Sequence, residues 1–300
     1  MSKLNLHNQV RYNKWRTILL VFVFLFLVSL MGVVFGLILG NLYLGVIAAV
    51  VIGMIYSFIM YRTGDSVILK MSGAKPVTKA EYPHLYHAVE GLSIAAGIPT
   101  PKAYVIKDSA LNAFATGKDP QHASVAVTTG LLERLNRQEL EGVLAHEISH
   151  IKNYDIRVMM LATVLVGIVT LIADFILYSF FFSGNNSDND KGNAHIIILI
   201  VGIALALLAP LIANLIKLAI SRNREYLADT SGALLTRYPP GLASALKKIK
   251  SDPDPLVDKA NKASAHLFIS TPFRKKAGVM TKLFSTHPEI DERIKRLEAM

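Results

Sequence analysis

The stretch ILLVFVFLFLVSLMGVVFGLIL, residues 18–39, contains no charged residue and no alternation of polar and apolar positions. An α-helix rises about 1.5 Å per residue, so roughly 20 such residues cross a hydrocarbon core about 30 Å thick. A helix also satisfies its own backbone hydrogen bonds in lipid. The run is too long for the apolar part of a signal peptide, and no small-residue cleavage site follows it. We therefore interpret it as a retained transmembrane helix.

Three further apolar stretches have the same character, at residues 42–61, 158–182 and 196–220. Only Gly40 and Asn41 separate the first of these from residues 18–39, so the sequence predicts a transmembrane hairpin over residues 18–61. The remaining two stretches predict a third and a fourth transmembrane helix. A polar loop of residues 183–195 joins them.

Lysine and arginine lie mostly on one side of these predicted helices; the loop of residues 183–195 holds a single Lys191, beside Asp188 and Asp190. They are Lys3, Arg11, Lys14 and Arg16 before the first helix, Arg62, Lys70, Lys75 and Lys79 after the second, and Lys217, Arg222 and Arg224 at the end of the fourth. Cytoplasmic loops carry the excess of these residues in membrane proteins. We therefore expect a multi-pass protein of the cell membrane with both termini in the cytoplasm and the loop of residues 183–195 outside.

This topology leaves three polar segments in the cytoplasm. They are an amino-terminal tail of residues 1–17 and two larger blocks, residues 62–157 and 221–300. Each block is small for an independent core, but together they have the size of an ordinary domain. The sequence predicts that the two blocks form one catalytic domain in two parts.

The overall composition agrees with a membrane protein and limits the available chemistry. Hydrophobic residues make up 52% of the 300 residues, charged residues 18%, and the net charge is +10. A soluble domain usually carries about 25% charged residues. The charge follows from the basic cytoplasmic segments, and no base-reading motif is present, so nucleic-acid binding is not expected. The chain has no cysteine, so a metal site would use His, Asp or Glu.

Within the first block, periodicity predicts two helices and two short strands. Residues 79–96 form an amphipathic pattern, and residues 137–153 are a second strong helical candidate. Residues 103–106 and 124–128 have the composition of short strands. The expected fold is α-rich, with four transmembrane helices and a cytoplasmic α+β domain that contains a small sheet.

The second predicted helix contains His146-Glu147-Ile148-Ser149-His150. Residues four apart share one helix face, so both imidazoles can point at one metal ion. Glu147 is offset around the helix and can act as a general base on a water molecule at that metal. The alternative is a chance pattern on a solvated surface helix, because short motifs recur by accident.

A catalytic zinc site needs a third protein ligand, and Glu225 is placed to supply it. Glu225 follows the fourth predicted span closely, while the helix of His146 ends shortly before the third, so the topology brings both to one membrane face. Asp229 lies one turn after Glu225 and can accept a hydrogen bond from a ligand imidazole. The alternative for Glu225 is an interfacial carboxylate paired with Arg222 or Arg224.

The stretch NAFATG, residues 112–117, precedes the second predicted strand. It could form an exposed sheet edge, whose free N–H and C=O groups bind an extended peptide by strand addition. The alternative is an ordinary loop that packs Phe114 into the core.

These motifs together resemble the HtpX-type membrane zinc peptidases, which are relatives of the CAAX prenyl proteases. The resemblance runs along the whole chain and includes residues 112–117, 146–150, 225–229 and the stretch STHP at residues 285–288. It implies a zincin-like (gluzincin) catalytic domain with one zinc ion held by His146, His150 and Glu225, and Glu147 as the catalytic base. It also implies substrate binding by Asn112, Ala113 and Phe114. The family's usual role is quality control of misfolded or stress-damaged membrane proteins in bacteria.

His287 has two interpretations. It could donate a hydrogen bond to the oxyanion of the tetrahedral intermediate, as a stabiliser of the transition state. It could equally cap the last predicted helix, with Pro288 in its first turn.

Three functions remain open from sequence. The first is a zinc-dependent endopeptidase that hydrolyses membrane proteins. The second is a processing peptidase of narrow specificity, of the CAAX prenyl protease type. The third is a non-catalytic membrane scaffold, which Glu147 argues against, because a scaffold needs no base.

Overall fold

The computed structural model describes residues 6–38, 40–165, 167, 222–252 and 288–300. Two long helices open the fold, α1 (Leu6–Ile38) and α2 (Leu42–Met71). The Asn41 side chain caps α2 by accepting a hydrogen bond from Leu44 N at 3.0 Å. The two helices pack closely as an antiparallel pair, since a Cβ on Gly45 would lie only 2.4 Å from Gly36 Cα.

Both long helices expose apolar side chains along their lengths. The largest exposed ones include Ile18, Phe22, Phe26, Tyr43, Ile47, Ile52, Ile55 and Phe58. Residues Tyr12–Val33 within α1 and the whole of α2 are long and apolar enough to cross a membrane. Such an apolar surface suits lipid rather than water. The predicted third and fourth spans lie mostly or wholly outside the described residues.

A four-stranded mixed sheet lies in the described part of the first block. The strands are β1 (Lys75–Pro76), β2 (Lys102–Ile106), β3 (Ala113–Gly117) and β4 (Ala123–Thr128), in the order β1-β2-β4-β3. β2 pairs parallel to β4, and the other two pairings are antiparallel. Among the described strands, β3 is therefore at an edge of the sheet.

Helices surround this sheet and the central helix α5. Their bounds are α3 (Pro83–Ala96), α4 (Thr129–Arg134), α5 (Arg137–Lys152), α6 (155–165), α7 (Arg222–Thr236), α8 (Pro239–Ser251) and α9 (Ile290–Glu298), with a short 3-10 helix at Pro120–His122. Twelve of the sixteen residues of α5 are buried, so α5 forms the centre of the domain.

Two glycines allow the surrounding helices to approach the backbone of α5. A Cβ on Gly232 of α7 would lie 2.9 Å from His146 N, and a Cβ on Gly142 of α5 would lie 2.6 Å from Leu242 N of α8. Real side chains do not tolerate such distances to backbone atoms. The absence of a side chain at Gly232 thus lets α7 lie directly against the turn of α5 that contains His146.

The structure confirms the predicted mixture of helices and a small sheet. The predicted helices 79–96 and 137–153 are α3 and α5, and the predicted strands 103–106 and 124–128 are β2 and β4, each within a few residues. β1 was not predicted, because a two-residue strand has no periodicity. Two membrane-length helices are described. Only the start of the predicted third span, residues 158–165 and 167, is among the described residues, where it is helical, and the fourth span lies outside them.

Candidate metal centre

α5 carries three of the predicted site residues, and its start is fixed by a capping box. Asn136 accepts a hydrogen bond from Glu139 N at 3.0 Å, and the Glu139 carboxylate accepts one from Asn136 N at 2.9 Å. Glu139 also accepts hydrogen bonds from Ser244 and Lys248 of α8. This cap satisfies backbone donors that α5 would otherwise leave unpaired, and it ties α5 to α8.

The predicted ligand atoms converge inside the protein. One ligand atom each from His146, His150 and Glu225 lies within 4.8 Å of the other two, and all three residues are buried. The two Nε2 atoms are 3.2 Å apart. Glu225 approaches His146 Nε2 at 3.7 Å and His150 Nε2 at 3.5 Å. The α5 and α7 helices thus bring together residues that are far apart in the sequence.

His146 is held from behind by Asp229 and Arg293. Its Nδ1 donates to the Asp229 carboxylate at 2.9 Å, as the sequence predicted for a ligand imidazole. Arg293 of α9 is fully buried and donates two hydrogen bonds to the same carboxylate, from Nε at 2.9 Å and from Nη2 at 2.7 Å. Burial favours the neutral form of Asp229, but the charge of Arg293 outweighs it and lowers the pKa of Asp229 to about 2.

His150 is held in the same way by a different carboxylate, Asp155, at the start of α6. His150 Nδ1 donates to Asp155 Oδ2 at 3.0 Å. The other oxygen, Asp155 Oδ1, accepts from Asn13 Nδ2 at 2.8 Å and from Arg224 Nη1 at 3.2 Å. Burial opposes the charge of His150, but the hydrogen bond to Asp155 and the nearby Glu225 raise the pKa of His150 to about 9.

These partners determine which ring atoms face the centre. An ionised carboxylate can only accept hydrogen bonds, so Nδ1 of each imidazole carries a hydrogen, and the lone pair of a neutral ring lies on Nε2. Two Nε2 acceptors and the Glu225 carboxylate therefore face one point from which bulk water is excluded. Arg293 Nη1 lies 3.9 Å from the Glu225 carboxylate and supplies one positive charge nearby. The two Nε2 acceptors still favour a further positive charge at the point, either a proton or a metal cation. Two imidazoles and one carboxylate suit zinc.

Glu147 lies beside this centre and is also buried. Burial raises the pKa of Glu147, although the neighbouring His146 and His150 favour its charged form. The backbone N–H of Ala115 in β3 donates a hydrogen bond to the Glu147 carboxylate. The predicted base therefore touches the sheet edge that was predicted to bind substrate.

The stretch of residues 112–117 includes that edge strand. Asn112 pairs its backbone with Thr128, and its side-chain oxygen accepts from Ala113 N at 3.1 Å. Phe114 is fully buried in the core. The stretch forms an edge strand among the described strands, but all five residues of β3 are buried rather than exposed as expected. Phe114 packs inside, as the other interpretation expected. A peptide at this edge would meet backbone groups rather than the Phe114 ring.

The structure brings together five predicted site residues, His146, Glu147, His150, Glu225 and Asp229. Arg224, which the alternative interpretation paired with Glu225, contacts Asp155 and Asn13. His287 lies outside the described residues, so its two interpretations stay predictions.

Sequence reasoning missed Asp155, Arg293 and Asn13 as partners of the centre. For Asp155, the sequence offered one signal, which is that a carboxylate follows the second histidine closely. Both other residues lie far from the ligands in sequence. Arg293 is within an ordinary charged helix, and Asn13 is at the start of an apolar one. No local pattern marks either residue.

The chain is similar to several known proteins. The model of peptidase family M48 matches residues 79–300. The Protease HtpX homolog of Dictyoglomus turgidum is 47% identical over 302 residues, which cover 100% of this chain and 96% of the relative. Those of Streptococcus pyogenes and Ligilactobacillus salivarius are 46% and 43% identical, each covering 98% of this chain and 100% of the relative. The crystal structure of S. mikatae Ste24p is 20% identical, with a TM-score of 0.49, covering 93% of this chain and 61% of that chain.

Proposed function

Because this chain belongs to peptidase family M48 and is a membrane-associated metalloprotease, we propose that it is a zinc-dependent endopeptidase. In this proposal His146, His150 and Glu225 hold one zinc ion, and Glu147 is the general base. The observation that carries the proposal is the convergence of three buried ligand atoms within 4.8 Å of one another, next to a buried carboxylate. A zinc ion held there would supply Lewis-acid activation of water and of the scissile carbonyl.

The residues around the proposed zinc site have separate tasks. Asp229 and Asp155 orient the two imidazoles, as carboxylates behind ligand histidines do in known zinc sites. The Glu147 carboxylate takes a proton from the attacking water and delivers it to the nitrogen of the leaving amine. Burial raises the pKa of Glu147, which makes it a better proton acceptor at neutral pH than an exposed carboxylate.

The edge strand β3 is the proposed binding place for the substrate backbone. Ala115 N–H donates to Glu147 rather than to β4, so this side of β3 faces the centre. An extended peptide added at Ala113 and Ala115 would bring a carbonyl close to Glu147. Asn112 fixes the start of the strand through its hydrogen bonds to Thr128 and Ala113. His287 remains a proposed stabiliser of the oxyanion.

The proposed substrates are misfolded or damaged membrane proteins, in a quality-control role. Support comes from the two membrane-length helices, which keep the protease beside such substrates. The proposed topology has four spans, with both termini and the catalytic domain in the cytoplasm, and it rests on the distribution of lysine and arginine. A processing peptidase of narrow specificity is the alternative that an experiment must separate.

Replacing Glu225 with glutamine is expected to weaken zinc binding by more than about 100-fold and to abolish cleavage. Loss of an outer partner alone typically costs roughly 10–100-fold in metal affinity, and a direct ligand should cost more. Zinc content and cleavage would be measured after chelation and stepwise return of zinc. The substrates would be an unfolded soluble protein and a destabilised membrane protein in the same nanodisc. Glu298→Gln, at an exposed position, is the matched control.

Each result has a distinct meaning. Equal zinc affinity in the Glu225→Gln variant and the wild type would remove Glu225 from the ligand set. A wild type that binds zinc but cleaves neither substrate would favour the processing peptidase. Preference for the destabilised membrane protein would support the quality-control role.

Zinc uptake at about pH 7.5 is expected to release about one proton per ion from His150, because a histidine ligand must be neutral. The pKa of His150 in the metal-free protein is about 9, so zinc affinity should fall about tenfold per pH unit below that value. The raised pKa also affects stability. In the metal-free protein, the interactions of the His150 imidazolium with Asp155 and Glu225 stabilise the fold fully at a pH below about 6.5, the pKa of histidine in an unfolded chain. This stabilisation is lost as the pH rises through about 9.

Calorimetry in buffers of different ionisation enthalpy measures this proton release. Asp155→Asn removes the carboxylate that stabilises the imidazolium, so it should reduce the release at the same pH. Release that is the same in both proteins would show that the proton comes from another group.

A further inference from the structure

A buried cluster of polar side chains lies behind His150, on the side of its Nδ1 atom. Its members are Asn13 of α1, Asp155 at the start of α6, and Arg224 of α7. Asn13 is 2% exposed and Asp155 is 1% exposed. None of the three is a predicted zinc ligand. Asp155 contacts His150, Arg224 directly precedes Glu225, and Asn13 contacts both Asp155 and Arg224.

Asn13 uses both ends of its amide in this cluster. Its Nδ2 donates to Asn153 O and to Asp155 Oδ1, both at 2.8 Å, and its Oδ1 accepts from Arg224 Nη1 at 3.3 Å. Asn153 is the C-cap of α5, and the next residue, Tyr154, has a positive φ of 61°. Asn13 therefore holds the tight turn that directs the chain from α5 into α6.

These contacts join the two segments that carry the proposed ligands. On one side, Asn13 binds Asp155, whose other oxygen accepts from His150 Nδ1. On the other side, Asn13 binds Arg224, the residue directly before Glu225. A side chain of the first membrane helix thus lies between the supports of two ligands from different parts of the chain.

A polar amide is costly to bury unless its groups are paired, and Asn13 is buried although its neighbours Lys14 and Arg16 belong to the polar start of α1. Asn13 meets this condition only where α5, α6 and α7 come together. An alternative position of α1 would leave its amide without these partners. The site therefore fixes the position of α1, and α1 in turn limits the movement of Asp155 and Arg224.

We propose that Asn13 is a positioning residue for the zinc centre, so that the first membrane helix supports the ligands as well as anchoring the protein. This inference rests on the zinc site proposed above. Asn13 does not touch substrate or metal; it acts through Asp155 on His150 and through Arg224 on the segment of Glu225.

The test compares Asn13→Leu with wild type in the full-length protein. Leucine keeps the approximate size but removes all three hydrogen bonds. Zinc affinity should fall about tenfold, the low end of the effect of outer partners. The visible absorption spectrum of the cobalt(II) form should also change, because it reports the geometry of the ligands. Thr17→Val is the matched control, since its hydroxyl bonds only to the backbone of Asn13 among the described contacts.

Two further variants keep the test informative. Asn13→Asp preserves the shape and the acceptor for Arg224, so it serves if the leucine variant does not fold, and it should weaken zinc binding by placing a carboxylate against Asp155. In an Asp155→Asn background, Asn13→Leu should have a clearly smaller effect than in the wild type, because the residue then has less to act through.

The outcomes separate this inference from the proposed function. A wild type that binds and cleaves, with an unchanged zinc affinity and cobalt spectrum in both Asn13 variants, would overturn only the role of Asn13. The same conclusion would follow if those variants merely lowered the unfolding temperature. A wild type that binds no zinc would overturn the proposed zinc site together with this inference.

Discussion

Replacing Glu147 with glutamine is expected to lower the rate of peptide hydrolysis by about 10²–10⁴-fold or more, while zinc remains bound. Glutamine has the shape of glutamate but cannot accept the proton of the attacking water. It leaves His146, His150 and Glu225 in place, so the variant separates metal binding from catalysis. The measurement is cleavage of an unfolded protein by the zinc-loaded variant, together with its metal content.

Glu141→Gln is the matched control for this substitution. Glu141 lies on the same helix and forms an exposed ion pair with Arg137, away from the ligand atoms. We expect it to cleave like the wild type. If Glu147→Gln also cleaved at the wild-type rate, Glu147 would not be the base, provided that an empty-vector preparation was inactive.

Replacing Arg293 with methionine is expected to destabilise the protein by about 3–5 kcal/mol, the usual cost of breaking a buried ion pair. Arg293 is fully buried, and its guanidinium forms two hydrogen bonds to Asp229. Without that charge, Asp229 would be a buried anion that has lost its guanidinium partner and retains the hydrogen bond from His146. Zinc affinity should fall as well, by roughly 10–100-fold, because Asp229 orients His146.

The unfolding temperature in detergent and the zinc dissociation constant measure the two effects. Arg296→Met is the matched control, since Arg296 is on the same helix but half exposed, paired with Glu292. Adding Asp229→Asn to Arg293→Met should recover part of the stability, because it removes the uncompensated charge. A single variant as stable as wild type would mean that Asp229 does not depend on Arg293.

The local parts of the fold and of the site were predictable from sequence, because they depend on residues close together in the chain. The four-residue spacing of His146 and His150 predicted one helix face, and the same spacing of Glu225 and Asp229 predicted the partner of a ligand imidazole. In the structure, His146 Nδ1 lies 2.9 Å from Asp229 Oδ1, at the position that this spacing predicted. The resemblance to the HtpX-type peptidases is confirmed by relatives of 43–47% identity.

The supports of the ligands were not predictable, because they depend on packing between distant segments. Asn13 and Asp155 are 142 residues apart, and Arg293 and Asp229 are 64 apart. An arginine among the charged residues of α9 resembles any solvated residue until tertiary packing buries it. Likewise, the partners of Asn13 become identifiable only when α1 is placed beside α7.

The buried Arg293 also has a consequence for the timing of activity during synthesis. The ribosome adds Arg293 well after the two histidines, Glu147 and Glu225, so a nascent chain can carry all the proposed ligands before α9 exists. In such a chain Asp229 lacks its countercharge, and the orientation of His146 is not secured. The support of His146 by Asp229 and Arg293 is therefore completed only after α9 has been translated and has packed against α7.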